Sequence, residues 1–176
     1  MPTTTFPPHP PRSILFVCLG NICRSPAAEY VMRARLVATG LGEVVRCDSA
    51  GTSREHAGDP PDQRMRAAAL RRGLTVGGSA RQVQRHDLDD FDLVLAMDEA
   101  NHAALLRLSS ARNRHKLERF CSFLTRHPDR EVPDPWYGGA AGFDYVLDLL
   151  EEGCETLLAH IRTTRQTDAG ATCGST

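Results

Sequence analysis

Residues 14–18, Ile-Leu-Phe-Val-Cys, are apolar without interruption. A strand with one face in water alternates, whereas a strand that is apolar throughout is buried on both faces. In a globular chain that means the interior of a parallel sheet with helices above and below it. The run ends at Cys18, and LGNICRSP leads at once into a helical pattern. Ala28, Val31, Met32 and Leu36 share one face, Ser25 is placed to cap, Pro26 suits the first turn, and Gly40 stops the helix. The first unit is therefore strand, glycine-containing loop, helix.

The same alternation continues. A short strand is expected at 44–47, then a long polar loop, SAGTSREHAGDPPDQR, and a helix over 61–72. FDLVLAMD, at 91–98, is a second fully buried strand, with Asp98 capping a helix that runs to about Leu108. KLERFCSF is a weaker fourth strand, and REVPDPWYGGAAG is a loop broken by proline and glycine. Phe143, Val146, Leu147, Leu150, Cys154, Leu157, Leu158 and Ile161 then follow helical spacing. Strands alternating with helices imply right-handed crossovers, hence an α/β fold: a three-layer, doubly wound, four-stranded parallel sheet with helices on both faces. Ligands in such sheets bind beyond the carboxyl ends of the strands, where Cys18 lies.

With 176 residues, 41% of them hydrophobic, the chain fits one domain. Its boundaries are read as a proline-rich flexible leader at 1–12, the domain at 13–162, and a disordered tail at 163–176. The formal net charge of -1 argues against nucleic acid or an anionic membrane as partner. No window resembles a signal peptide or a membrane span, so a cytoplasmic protein is expected. The six cysteines (18, 23, 47, 121, 154, 173) form no C-x-x-C pair and no cluster with histidine, which indicates neither a disulfide framework nor a metal site. Cys47, Cys121 and Cys154 fall on inferred core faces.

The loop CLGNICRS carries the chemistry. Successive backbone amides of Leu19, Gly20, Asn21, Ile22 and Cys23, followed by a helix N-terminus, form a concave donor array suited to a tetrahedral oxyanion. Gly20 and Asn21 tolerate the left-handed conformations such a cradle needs. Arg24 adds a planar fork for two oxygens, and Ser25 can donate to the Cys18 sulfur. The same positive array favours a thiolate at Cys18, in line to attack a bound phosphoryl group. The loop is too short for a nucleotide-binding Walker loop and lacks its lysine. Amides and Arg24 already supply positive potential, so no metal or other cofactor is called for. Asp134 in VPDPWYGG is the candidate general acid and base, with Trp136 and Tyr137 as walls of a cleft for an aromatic ring.

Taken together, CLGNICRS, SAGT, ARQ, FDLVLAMD and DPWYGG resemble, in type and order, the low-molecular-weight protein tyrosine phosphatases over residues 13–162. The resemblance implies Cys18 as nucleophile, Arg24 as ligand of the phosphate and transition state, Asn21 and Ser25 as organisers of the loop, and Asp134 as general acid and base. It also implies a reversible Cys18–Cys23 disulfide under oxidation. Its substrates would be phosphotyrosine proteins, with a bacterial tyrosine autokinase as one partner, and the chain would act as a monomer.

Two positions depart from the family. An aromatic residue that packs on the substrate ring is replaced by Glu55, and a histidine that supports the loop asparagine in some members is Gly78. Ile22 accords with phosphotyrosine rather than phosphoarginine, for which relatives place threonine. Two alternatives stand beside this reading. A thioredoxin-coupled arsenate reductase shares the loop, but GGSARQVQRHDLDD holds none of the relay cysteines it needs. The other is a weakened phosphotyrosine-binding or redox-sensing module, marked by Glu55 and Gly78. His56 is read as a solvated or structural histidine and not an acid, since Asp134 fills that role, and Asp98 chiefly as a helix cap.

Overall fold

The structure, a computed structural model, describes residues 9–172. Four strands, β1 (Ser13–Cys18), β2 (Arg46–Gly51), β3 (Leu93–Ala96) and β4 (Leu117–Arg119), form a parallel sheet in the order β2-β1-β3-β4. Five α-helices cover it: α1 (Arg24–Ala38), α2 (Gln63–Arg71), α3 (Arg85–Asp90), α4 (Glu99–Leu108) and α5 (Ala140–Thr172). The period-two geometry of β1 explains its unbroken apolar run. Ile14 and Phe16 face the core made with α1, α2 and α5, while Leu15 and Val17 face the smaller one under α3 and α4. The chain leaves β1 towards β2 on one side and later returns to β3 on the other, so Cys18 stands at the switch point.

Several boundaries differ from expectation. The second strand begins later than 44–47 and continues through Ser-Ala-Gly to pair Gly51 with Cys18. A Cβ at Gly51 would stand 2.6 Å from the Leu19 carbonyl oxygen, so the absence of a side chain lets strand and loop meet. α1 starts at Arg24 with Cys23 as N-cap, because the Ser25 hydroxyl is directed at Cys18 instead of a backbone amide. Asp62 caps α2, accepting the Arg64 amide at 2.8 Å. α3 was not expected: it is one and a half turns closed by a reciprocal cap between Gln84 and Asp87. The fourth strand is shorter than read, giving way at Phe120 to a 3-10 turn.

The C-terminal segment and the last residues of the expected leader, where they are described, also differ from the reading. Residues 163–172, expected to be disordered, continue α5, since no proline interrupts a helix already nucleated by many buried turns. Residues 173–176 and 1–8 lie outside the described residues. At the end of the expected leader, Pro11 is buried and the Arg12 amide donates to Asp92 Oδ2 at 2.8 Å. No helix among the described residues is long and apolar enough to cross a membrane.

α5 also anchors the segment that leads to Asp134. Glu152, 1% exposed, accepts from the amides of Thr125 and Arg126 and pairs with the His127 ring. Burial opposes its charge, but these donors outweigh it and pull its pKa down to about 2. A carboxylate with a depressed folded pKa contributes stability that is complete above the ordinary value of 4.5 and lost as pH falls towards about 2. Glu152→Gln is therefore expected to lower the unfolding free energy by roughly 2–3 kcal/mol at neutral pH. Urea melts across pH should show the gap from wild type closing between those two values.

Candidate active site

The loop between β1 and α1 is bent by Asn21, whose φ of 56° lies in the left-handed region that asparagine tolerates. This bend turns the Asn21 amide back onto the Cys18 sulfur at 3.3 Å, and Ser25 Oγ approaches the same sulfur at 3.0 Å. Behind the loop the polar groups form a directed chain. Ser49 Oγ donates to Glu29 Oε2 at 2.6 Å and accepts from Asn21 Nδ2 at 3.0 Å. Asn21 Nδ2 also donates to Ser25 Oγ at 2.9 Å, which leaves the Ser25 hydrogen for the Cys18 sulfur or the Ala50 carbonyl. Asn21 Oδ1 accepts the Arg81 amide at 2.9 Å, and the Arg81 side chain is held by Asp48 and Asp87. The support expected to be missing at Gly78 is thus supplied by Ser49, Ser25 and the Arg81 backbone.

Glu29 closes this chain and pairs with Arg33 at 2.9 Å. Burial raises its pKa, while Ser49 and Arg33 act in the opposite direction. Neither Glu29 nor Ser49 was singled out from sequence, although Glu29 at one helical turn from Ser25 on an otherwise apolar face was a usable signal.

Arg24, 2% exposed, has three partners: Asp98 Oδ2 at 2.6 Å, the Val132 carbonyl at 3.0 Å and Asp134 Oδ2 at 3.3 Å. Burial presses its pKa down, but the Cys18 sulfur, Asp98 and Asp134 outweigh burial and hold it above the ordinary value. Asp98 is more than the expected cap: Oδ1 accepts the Asn101 amide at 2.7 Å while Oδ2 holds Arg24. Asp134 is placed by its own neighbours, with Oδ1 accepting the Trp136 amide at 3.0 Å. The Val132 amide ties this loop to the Met97 carbonyl just past β3 at 2.8 Å.

These groups enclose a cavity of about 170 Å3. Its floor is the 18–24 loop, including Leu19, Gly20, Ile22 and Cys23; Glu55 and His56 stand on one side, Asp134, Trp136 and Tyr137 on the other. All the sequence-predicted site residues line it except Asn21 and Ser25, which lie directly behind the floor. His56 was missed: its ring lies 5.6 Å from that of Trp136 and packs against Gly20, with Nδ1 3.1 Å from Asp59 Oδ2. Cys23 is the second thiol on the floor of the cleft. Burial, then Asp62 and Cys18, push its pKa well above the ordinary range, so it stays protonated. A larger depression of about 450 Å3 at the other end of the sheet has Cys47 as its cysteine, whose burial pushes the pKa up to about 12. Cys121, expected in the core, is half-buried. Among the described residues no group of three or more His, Cys, Asp or Glu is arranged to hold a metal ion.

A thiol at a switch point, met by the Asn21 amide and the Ser25 hydroxyl beside a buried guanidinium and with a carboxyl group across the cleft, brings together the group types that cysteine-based phosphoryl transfer uses. The sequence model of one family, described as low molecular weight phosphotyrosine protein phosphatase, matches residues 13–167. A Synechocystis protein named "Putative low molecular weight protein-tyrosine-phosphatase slr0328" is 51% identical over 149 residues, covering 84% of this chain and 95% of its own. The Bacillus subtilis low molecular weight protein-tyrosine-phosphatase YfkJ is 41% identical over 155 residues, covering 88% and 98%. The crystal structure of a protein tyrosine phosphatase from Entamoeba histolytica, with Hepes in its active site, superposes with a TM-score of 0.85 at 42% identity, covering 87% of this chain and 98% of that one. The chain belongs to the low molecular weight phosphotyrosine protein phosphatase family.

Proposed function

We propose that the protein removes phosphate from tyrosine side chains through a phosphocysteine on Cys18. What carries this reading is the convergence of Cys18, Arg24 and Asp134 on one cleft that an aromatic wall borders. The phosphate dianion enters the amide cradle and takes Arg24 Nη2, which now rests on Asp134. The Cys18 thiolate attacks phosphorus and the bond to the phenolic oxygen breaks. That oxygen takes the electron pair and a proton from the Asp134 carboxylic acid. A water then attacks the phosphocysteine, giving its proton to the Asp134 carboxylate. The sulfur leaves with its bonding electrons and inorganic phosphate is released.

Arg24 and the loop amides hold the charge that spreads over the equatorial oxygens throughout both steps. The Ser25 hydroxyl, polarised by the Glu29–Ser49–Asn21 chain, supports the sulfur as attacking and leaving group. His56 and Trp136 form the wall for the ring, a part the sequence assigned to Trp136 with Tyr137, and Glu55 stands at the rim. Cys23 is the partner of Cys18 in a disulfide formed when an oxidant such as peroxide takes two electrons from the pair of thiols. A cytoplasmic monomer acting on phosphotyrosine proteins, a tyrosine autokinase among them, completes the proposal.

The test is hydrolysis of phosphotyrosine, phosphoserine and phosphoarginine peptides by wild type and Asp134→Ala. Phosphotyrosine should be the preferred substrate, and its turnover should fall about a hundredfold in the variant. Faster release from phosphoarginine would overturn the substrate assignment. Undiminished turnover in Asp134→Ala would remove that carboxyl group from the proton transfers.

A further inference from the structure

Two loops carry the reacting groups, and a pair of residues outside both lies between them. The Asp62 amide donates to the Ile22 carbonyl of the phosphate loop at 2.7 Å. Its carboxylate accepts from Arg64 at the backbone amide (2.8 Å), Nε (3.1 Å) and Nη2 (2.9 Å). Arg64 Nη1 in turn donates to the Trp136 carbonyl at 3.1 Å. The guanidinium lies over two rings, 5.1 Å from the centre of Trp136 and 4.9 Å from that of Phe143 on α5.

We infer that Asp62 and Arg64 form a strut joining the loop that carries Cys18 to the loop that carries Asp134, and that Arg64 is a positioning residue for the proton-donating carboxyl group. Trp136 transmits the constraint: Arg64 holds its carbonyl and ring face, while its amide holds Asp134 Oδ1 at 3.0 Å. Upstream of Asp134 the loop is fixed by Val132 on Met97; downstream Gly138 and Gly139 precede α5, so the Arg64 contact restrains the stretch between.

An exposed arginine–carboxylate pair two residues apart contributes little to stability by itself. The arrangement here instead fixes the plane of the guanidinium, because its two bonds to Asp62, from Nε and Nη2, leave Nη1 for the Trp136 carbonyl and the faces for rings. Burial works against the Asp62 charge, but the Arg64 donors outweigh it and lower its pKa, so the strut is charged at neutral pH. Lysine keeps the charge and loses the fork and the stacking.

The inference rests on Asp134 being the proton donor, and leaving groups of different basicity separate the two. Phenyl phosphate releases a phenol that needs a proton, whereas 4-nitrophenyl phosphate releases a stable phenolate that needs little help. kcat/KM covers the reaction through release of that group, and the ratio for two esters on one preparation does not depend on the fraction of folded enzyme. Arg64→Ala and Arg64→Lys are each expected to lower kcat/KM about tenfold on phenyl phosphate and less than about threefold on 4-nitrophenyl phosphate. Asp134→Ala should show the same bias more strongly. Equal losses on both esters, no loss on either, or a wild-type ratio restored by lysine would overturn the strut. If Asp134→Ala shows no bias, the acid assignment has failed and the inference falls with it.

Discussion

Cys18→Ser is expected to lower phosphotyrosine turnover roughly 10^4-fold or more while leaving the phosphate cradle able to bind. Serine differs from cysteine here by one atom, and in the proposed mechanism that atom is the attacking nucleophile. The Ser25 hydroxyl at 3.0 Å and the Asn21 amide at 3.3 Å both address it. A serine hydroxyl in the same place stays protonated, and the carboxyl group across the cleft serves the first step as proton donor to the leaving oxygen, not as a base for the attacking one. The cradle amides and Arg24 are untouched, so inorganic phosphate should bind the variant within a few-fold of wild type by calorimetry. Retained turnover would show that another group performs the attack.

Arg24→Lys is expected to reduce kcat/KM for phosphotyrosine by roughly 10^2–10^3, despite keeping the charge. The guanidinium spans three partners on two elements, with Nη1 shared by Asp98 and the Val132 carbonyl and Nη2 directed into the cleft at Asp134. A single ammonium can follow Asp98 or face the phosphate, but it cannot form a planar fork for two oxygens. The partly buried Asp98 carboxylate that Arg24 satisfies would be left poorly paired, adding a loss of stability. Parallel measurement of kcat/KM and of inorganic phosphate affinity should show both falling. A lysine variant that equals wild type would mean that charge alone, and not the fork, stabilises the transition state.

The phosphate loop was legible because its chemistry is local: strand end, nucleophile, left-handed residue, arginine and helix start are consecutive. α5 was legible for a similar reason, since its buried positions repeat with the helical period. β2 was misplaced because Ser49, Ala50 and Gly51 have little strand propensity, and they are strand only because Cys18 needs a close neighbour without a side chain. α3 escaped because RHDLDD offers one apolar residue, Leu88, and is held by its cap.

The ties that complete the site are the least legible. Arg24 to Asp98 and Arg64 to Trp136 span 74 and 72 residues, so no local pattern announces them. The stand-in for the histidine absent at Gly78 is likewise a matter of tertiary contact, made by Ser49 from the neighbouring strand and by the Arg81 backbone, with Ser25 from α1. Glu55 drew attention as a substitution, yet the ring that meets Trp136 belongs to the next residue, His56. A side chain's neighbour across a cleft depends on the path of the loop, which the residue types at 53–59 leave undetermined.

Everything in the proposed chemistry passes through a phosphoryl group on one sulfur, and that species can be caught. Wild-type enzyme mixed with excess phosphotyrosine peptide, quenched in acid during the steady state and digested, should yield a peptide carrying one phosphoryl group on Cys18 by mass spectrometry. Cys18→Ser treated in the same way should yield none. Turnover without any adduct on Cys18, or with the phosphoryl group on a different residue, would contradict the mechanism.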